Sequence, residues 1–190
     1  MSHHHEPEYR FCPVCGGKLE KKLLKASEPD RLVCTECQFV FYQDPKVVAC
    51  AVVEINGKIL LLRRAINPQK GKWVIPGGYV DRGEVVERAA IREVKEECGV
   101  EVKISGLLGV YSYEERAVVV VVYIAKALSG KPGPGDETLE ARTFLVDEIP
   151  WKELAFQSTV DALKDYCDIK GKGSLKRNEE RGNESRTSNH

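Results

Sequence analysis

The sequence predicts an α/β domain preceded by a small zinc ribbon. Two Cys-x-x-Cys pairs stand close together near the N-terminus, at Cys12/Cys15 and Cys34/Cys37. From residue 46 onward, apolar β-branched runs alternate with turn signals and with a helix-period stretch. That stretch, residues 84–98, crowds glutamates on one arc.

Residues 1–9 include three consecutive histidines, lack the regions of a signal peptide, and are expected to be disordered. Residues 10–45 form the ribbon. Eighteen residues separate the two cysteine pairs, within the spacing of a zinc site. Each pair sits in a tight turn, so both sulfurs face one ion, and two turns complete a tetrahedron of thiolates. Four thiolates leave no open coordination position, so the Zn²⁺ is expected to be structural. A module this small is expected to unfold without its metal. Cys50, Cys98 and Cys167 lie among apolar residues and read as small core side chains.

Residues 46–168 form the main domain. Residues 47–55 read as a strand, Asn56-Gly57 as a hairpin turn, and 58–63 as the returning strand. Residues 66–72 are a loop, and 73–75 a short strand ended by Pro76-Gly77-Gly78. A helix over 84–98 closes at Gly99. Strands follow at 107–112, within 117–128 and at 141–146, the middle one apolar on both faces as a central strand would be. Residues 151–166 read as an amphipathic helix. Residues 169–190 are charged and Ser/Asn/Gly-rich, and are expected to be a disordered tail.

The chain has 190 residues with 29 basic and 29 acidic side chains, so its formal charge is zero. That balance excludes a globally basic nucleic-acid binder. No apolar run approaches the roughly 20 residues needed to span a bilayer. The expected setting is the reduced cytoplasm, with no membrane partner.

Glu93, Glu96 and Glu97 span about a third of the helix circumference, with pairs at i, i+3 and i, i+4. Carboxylates held together repel each other and bind a hard divalent cation well. Ala89 lies in the same arc, where a small side chain leaves room. Gly77 and Gly78 let backbone approach a phosphate or a metal. Arg92 beside the arc pairs with Glu84 to hold the loop on the helix. This points to Mg²⁺-assisted chemistry on a phosphorylated substrate.

Gly78, five residues, Glu84, seven residues, then Arg92-Glu93-Val94-Lys95-Glu96-Glu97-Cys98-Gly99-Val100 resembles the full Nudix box, G-x5-E-x7-R-E-U-x-E-E-x-G-U with U aliphatic. Every fixed position matches. The resemblance implies an α/β/α sandwich around a mixed sheet. It implies Mg²⁺- or Mn²⁺-dependent hydrolysis of a nucleoside diphosphate linked to another moiety. Carried over by position, Glu93, Glu96, Glu97 and the Gly77 carbonyl would be metal ligands, with Arg92 and Glu84 orienting them. One of the glutamates, or an acid from outside the box such as Glu137 or Glu140, would be the general base. Expected substrate contacts are Gly78, Arg63, Arg64, Trp73 and Tyr79, with Tyr111 and Tyr113 as further stacking candidates. The partner would be a nucleotide small molecule, and a homodimer is common in the family.

The ribbon narrows the field. Nudix NADH pyrophosphatases carry a similar ribbon, but their Ser-Gln-Pro-Trp-Pro-Phe-Pro-x-Ser array is absent after the box. A closer likeness is the ribbon-bearing group that includes plant pyrophosphatases acting on FAD and ADP-ribose. It shares Tyr42-Gln43-x-Pro45-Lys46, Pro132-Gly133-Pro134-Gly135 before Glu137-Thr138-Leu139-Glu140, and Leu154-Ala155-Phe156-x-Ser158. This likeness favours FAD or ADP-ribose as substrate. The alternatives are NADH or NAD, an oxidised nucleoside triphosphate, or a non-catalytic nucleotide-sensing or nucleic-acid module resting on Lys18, Lys21 and Lys22 of the ribbon.

Overall fold

A computed structural model describes residues 9–184, with side chains through residue 171. The expectation for residues 1–8 lies outside the described residues. The chain divides into two compact units, residues 1–44 and 45–190.

In the first unit, β1 (Leu19–Lys22), β2 (Arg31–Cys34) and β3 (Val40–Phe41) form an antiparallel sheet in that order. Hydrogen bonds from Cys12 N to Gly17 O (2.7 Å) and from Gly16 N to Cys12 O (2.9 Å) close the first metal turn. Its largest buried cluster is Cys12, Leu19 and Cys34, with Leu32 and Phe41 packed against it.

The second unit opens with β4 (Lys46–Ile55) and β5 (Lys58–Arg64), joined by Asn56-Gly57. Both turn residues have positive φ, 51° and 77°, as a two-residue hairpin turn requires. β6 (Trp73–Val74) pairs with β5, and β7 (Gly77–Tyr79) pairs with β4. Then come α1 (Val86–Cys98), β8 (Glu101–Tyr111), β9 (Val118–Ser129), β10 (Thr138–Phe144) and α2 (Gln157–Glu184). The sheet order is β10-β5-β4-β9-β8. β4 and β9 run parallel, and the other neighbours antiparallel, so the sheet is mixed.

Period-2 alternation splits the buried strands between two cores. Cys50, Val52, Ile59 and Leu61 pack with Ala162, Leu163 and Tyr166 of α2. Ala51, Val53, Leu60 and Leu62 pack with Val94 and Cys98 of α1. The result is an α/β/α sandwich. Burial pushes the thiol of Cys50 up to about 12 and that of Cys98 up to about 11, so both stay protonated and inert. No helix among the described residues is long and apolar enough to cross a membrane.

Several boundaries differ from the sequence expectations, each for a physical reason. α1 starts at Val86 rather than at 84: Glu84 lies in the preceding turn, where its carboxylate accepts hydrogen bonds from Asp81 N and from Arg92 of the helix. β8 begins at Glu101, two residues past the left-handed Gly99 (φ 71°). Register shifts near 101, 104–106 and 107–109 break its alternation and hide its first half. α2 begins at Gln157, and residues 151–153 form a 3-10 turn instead. Ala155 N donates to Trp73 O at 2.7 Å, and Leu154 bridges Trp73, so this segment is held extended. β10 starts at Thr138, where a bulge precedes Glu140. The segment from 169, expected to be disordered, continues α2 as helix to Glu184. Its Lys, Arg and Glu residues are good helix formers, against the opposing preference of Gly171, Gly173 and Gly182.

Candidate functional site

The face of α1 that does not enter the core meets β7 and the loop before it. Glu97 is anchored there, its Oε2 accepting a hydrogen bond from Gly77 N at 2.9 Å. Burial pushes its carboxyl up to about 7, against the downward pull of that N–H. Burial also raises Glu93, against the pull of Arg92.

Both glycines are required by close approach. Gly77 adopts φ 155°, and a Cβ there would lie 2.5 Å from Ala49 O and 2.6 Å from Cys50 Cα, backbone that cannot yield. A Cβ on Gly78 would lie 2.5 Å from the Glu93 carboxyl carbon. That end is flexible, so Gly78→Ala is expected to leave thermal stability near wild type while displacing the carboxylate. Divalent-metal affinity should fall about 10–100-fold, read by metal titration calorimetry; unchanged affinity would remove Gly78 from the site.

Arg92 is the hub of the arc. Its Nε donates to Glu84 Oε1 (2.9 Å), Nη1 to Glu93 Oε1 (2.7 Å) and Glu96 Oε2 (3.0 Å), and Nη2 to Glu84 Oε2 (2.9 Å) and Tyr79 O (3.1 Å). All five guanidinium donors are engaged. The Arg92 hydrogen bonds hold the Glu84 carboxyl down at about 2. Arg92 therefore braces the loop and the glutamates and has no donor free for a substrate.

Ala89 is fully buried against Ala49 and Ala90, so it supports the helix on β4 and leaves no open room for a ligand. Glu137 and Arg64 both lie close enough to Glu97 for their charges to act on its carboxyl. Glu137 arrives there because the preceding loop caps α1: Gly135 N donates to Glu97 O (2.9 Å), and Gly133 N to Cys98 O (3.1 Å). Glu140 points elsewhere, opposite Arg63 on β5 and 4.0 Å from its Nη1. Arg63 also donates to Gly71 O at 2.9 Å.

Trp73 corrects the stacking expectation. It is 5% exposed and meets Phe144 edge-on at 5.0 Å, so its ring belongs to the core. Tyr111 and Tyr113 donate to Asp165 and Asp161, each at 2.8 Å, and tie β8 and the following loop to α2. Tyr79 remains 55% exposed, with Lys46 Nζ 5.0 Å from its ring centroid. The sequence reading gave no role to Phe156, whose ring lies under the Arg64 guanidinium at 5.0 Å. The motif containing it was visible, but its place beside β5 depends on the bridge between Leu154 and Trp73.

In the first unit, the sulfurs of Cys12, Cys15, Cys34 and Cys37 all lie within 4.8 Å of one another, the one group of potential metal ligands this close among the described residues. Cys12 Sγ and Cys37 Sγ are 3.8 Å apart, and Cys15 Sγ and Cys34 Sγ 3.4 Å. A zinc tetrahedron with bonds of about 2.3 Å has sulfur–sulfur edges of about 3.8 Å, so the four thiols fit the ion. Val14 N and Cys37 N point at Cys12 Sγ and Cys34 Sγ, as donors to thiolates do. The glutamates are spread wider around Arg92. Their carboxylate oxygens nevertheless suit a hard divalent cation by donor type.

The NUDIX domain profile matches residues 43–164, and the Nudix N-terminal zinc-ribbon profile matches residues 10–43. The chain belongs to the NUDIX hydrolase family. Enzymes of this family use divalent metals. Among NUDIX relatives, an ADP-ribose pyrophosphatase of Methanocaldococcus jannaschii is 36% identical over 155 residues, covering 80% of this chain and 86% of that protein. An NAD-capped RNA hydrolase, NudC, of Vibrio vulnificus is 28% identical over 143 residues, 74% of this chain and 52% of that enzyme. The chain thus spans about half the length of that second relative. The crystal structure of a NUDIX hydrolase from Nitrosomonas europaea superposes with a TM-score of 0.82 at 36% identity, over 87% of this chain and 94% of that one.

Proposed function

We propose that this protein is a Mg²⁺- or Mn²⁺-dependent pyrophosphatase. It cleaves the phosphoanhydride of a nucleoside diphosphate linked to another moiety, with ADP-ribose or FAD favoured, and releases AMP and a phosphorylated product. The observation that carries this reading is Glu97, buried and anchored on Gly77 N–H beside a Glu93 carboxylate pressed against Gly78. The 36% identity to an ADP-ribose pyrophosphatase over most of both chains supports the substrate class.

Glu93, Glu96 and Glu97 would hold the cation, together with the Gly77 carbonyl. When bound, it supplies charge neutralisation to the pyrophosphate oxygens and acidifies a coordinated water. Arg92 and Glu84 keep the carboxylates and the loop in register. Glu137, whose charge acts on Glu97, would be the base that accepts the proton of the attacking water. The new bond forms from that water oxygen to phosphorus, and the bridging P–O bond breaks. Glu140, turned toward Arg63, is the less favoured of the two candidate bases.

The test is a turnover screen of ADP-ribose, FAD, NADH, NAD-capped RNA and 8-oxo-dGTP with Mg²⁺ or Mn²⁺, with products identified by mass spectrometry. ADP-ribose should yield AMP and ribose 5-phosphate. Preference for NAD-capped RNA would move the substrate to that class, and no turnover of any phosphoanhydride would remove the reading.

A further inference from the structure

The glutamate arc leaves a charge problem that one arginine is placed to solve. Glu84, Glu93, Glu96, Glu97 and Glu137 gather around a site meant for an anionic diphosphate. Arg92 has every donor occupied within the protein. Arg63 and Arg64 are successive residues of a strand, so they leave β5 on opposite faces. Arg63 follows Ile59 and Leu61 on the α2 side, and is held by Gly71 O and Glu140. Arg64 follows Leu60 and Leu62 on the α1 side, where Glu97 lies.

The local geometry of Arg64 leaves its working end free. Its Nε donates to Pro68 O at 2.9 Å, and its guanidinium carbon lies 5.0 Å from the Phe156 ring centroid. Neither Nη has a hydrogen-bond partner among the described residues. An aromatic ring holds a guanidinium by its face and leaves the N–H fork at the edge unblocked. One bonded Nε and one stacked face fix the plane of the group before a ligand arrives. A pre-set fork grips paired phosphate oxygens bidentately, at smaller entropic cost than a mobile side chain.

We propose that Arg64, braced by Phe156 and the Pro68 carbonyl, is the cation that grips the diphosphate oxygens of the substrate, with Phe156 its positioning residue. This rests on the pyrophosphatase reading and adds a specific phosphate contact outside the Nudix box. It also gives the Leu154-Ala155-Phe156 segment a purpose: the bridge from Leu154 to Trp73 brings the ring alongside β5.

The experiment is calorimetric titration of the full-length protein with α,β-methylene ADP and Mg²⁺, a probe that needs no turnover. Arg64→Ala should weaken binding about tenfold or more, and Arg64→Lys should recover only part of it. Phe156→Leu, which keeps apolar bulk, should weaken binding severalfold in the wild-type background but less than about twofold in Arg64→Ala, because it acts through the arginine. Lys103→Ala, a charge removed from the edge strand β8, should change nothing. Arg64→Ala affinity within twofold of wild type, or independent effects of the two substitutions, would overturn the proposal, as would a wild-type protein that does not bind the probe. Arg64-dependent probe binding without turnover of any anhydride would overturn the pyrophosphatase reading and leave the phosphate grip standing. Turnover with Arg64-independent probe binding would do the reverse.

Discussion

Glu97→Gln is expected to lower kcat by more than about 100-fold while the domain keeps its fold. The amide has the shape of the acid, and its oxygen can still accept the hydrogen bond from Gly77 N. What disappears is the negative charge, and with it the donor that a divalent cation requires. Turnover near the wild-type rate would sink the assignment.

The same substitution has a second signature in metal-free protein. Burial raises the Glu97 carboxyl from 4.5 to about 7. A carboxyl raised on folding favours the folded state fully below its unfolded pKa, and that contribution is lost as pH rises through the folded value. Between about 4.5 and 7 the native state therefore loses stability through this group, because a buried charge must form. Glu97→Gln forms no charge, so in EDTA its melting temperature should exceed that of wild type above pH 7 and converge with it below pH 4.5. Saturating Mg²⁺ should reverse the order, since binding to the native state stabilises only the protein that keeps its ligand. Melting curves that run parallel at every pH and metal level would contradict this account.

Replacing Cys34 with alanine should release the zinc and unfold the ribbon of residues 10–45, while the larger unit keeps its own melting transition. Two of the three residues in the main buried cluster of the ribbon, Cys12 and Cys34, are themselves metal ligands. Little apolar burial remains once the ion is gone. Structural zinc contributes about 10–16 kcal/mol of apparent binding free energy in isolated fingers, far more than so small a core can supply. The larger unit has separate cores on both faces of its sheet, so its transition does not depend on the ion. Zinc content by elemental analysis and amide dispersion by NMR check both halves of this result. Well-dispersed ribbon signals in zinc-free protein would refute it.

Much of this was legible in the sequence because it is written locally. The Asn56-Gly57 turn, the two cysteine pairs and the spacing of the glutamates depend on residues a few positions apart. The strands of the sheet centre were readable because burial on both faces leaves an unbroken apolar run, as in β4. The rest depends on partners distant in the chain. Trp73 looked like a stacking platform, and only its neighbour Phe144 shows that it is core. Helix periodicity alone could not place the start of α2, because the hydrogen bond from Ala155 N to Trp73 O holds the preceding residues extended. Arg92 could be paired with Glu84 from sequence, but the saturation of all five of its donors could not be counted there.

The loop of residues 130–136 looks like loose Gly/Pro connector, yet two of its amides are fastened to the last carbonyls of α1. A Cβ on Gly135 would sit 2.6 Å from Glu96 O, so loop and helix end are in direct contact. Glu137 and the glutamates of α1 are thereby mounted on one rigid piece, although they are far apart in the chain. The stretch works as a ruler: its length sets the gap between Glu137 and the glutamates of α1.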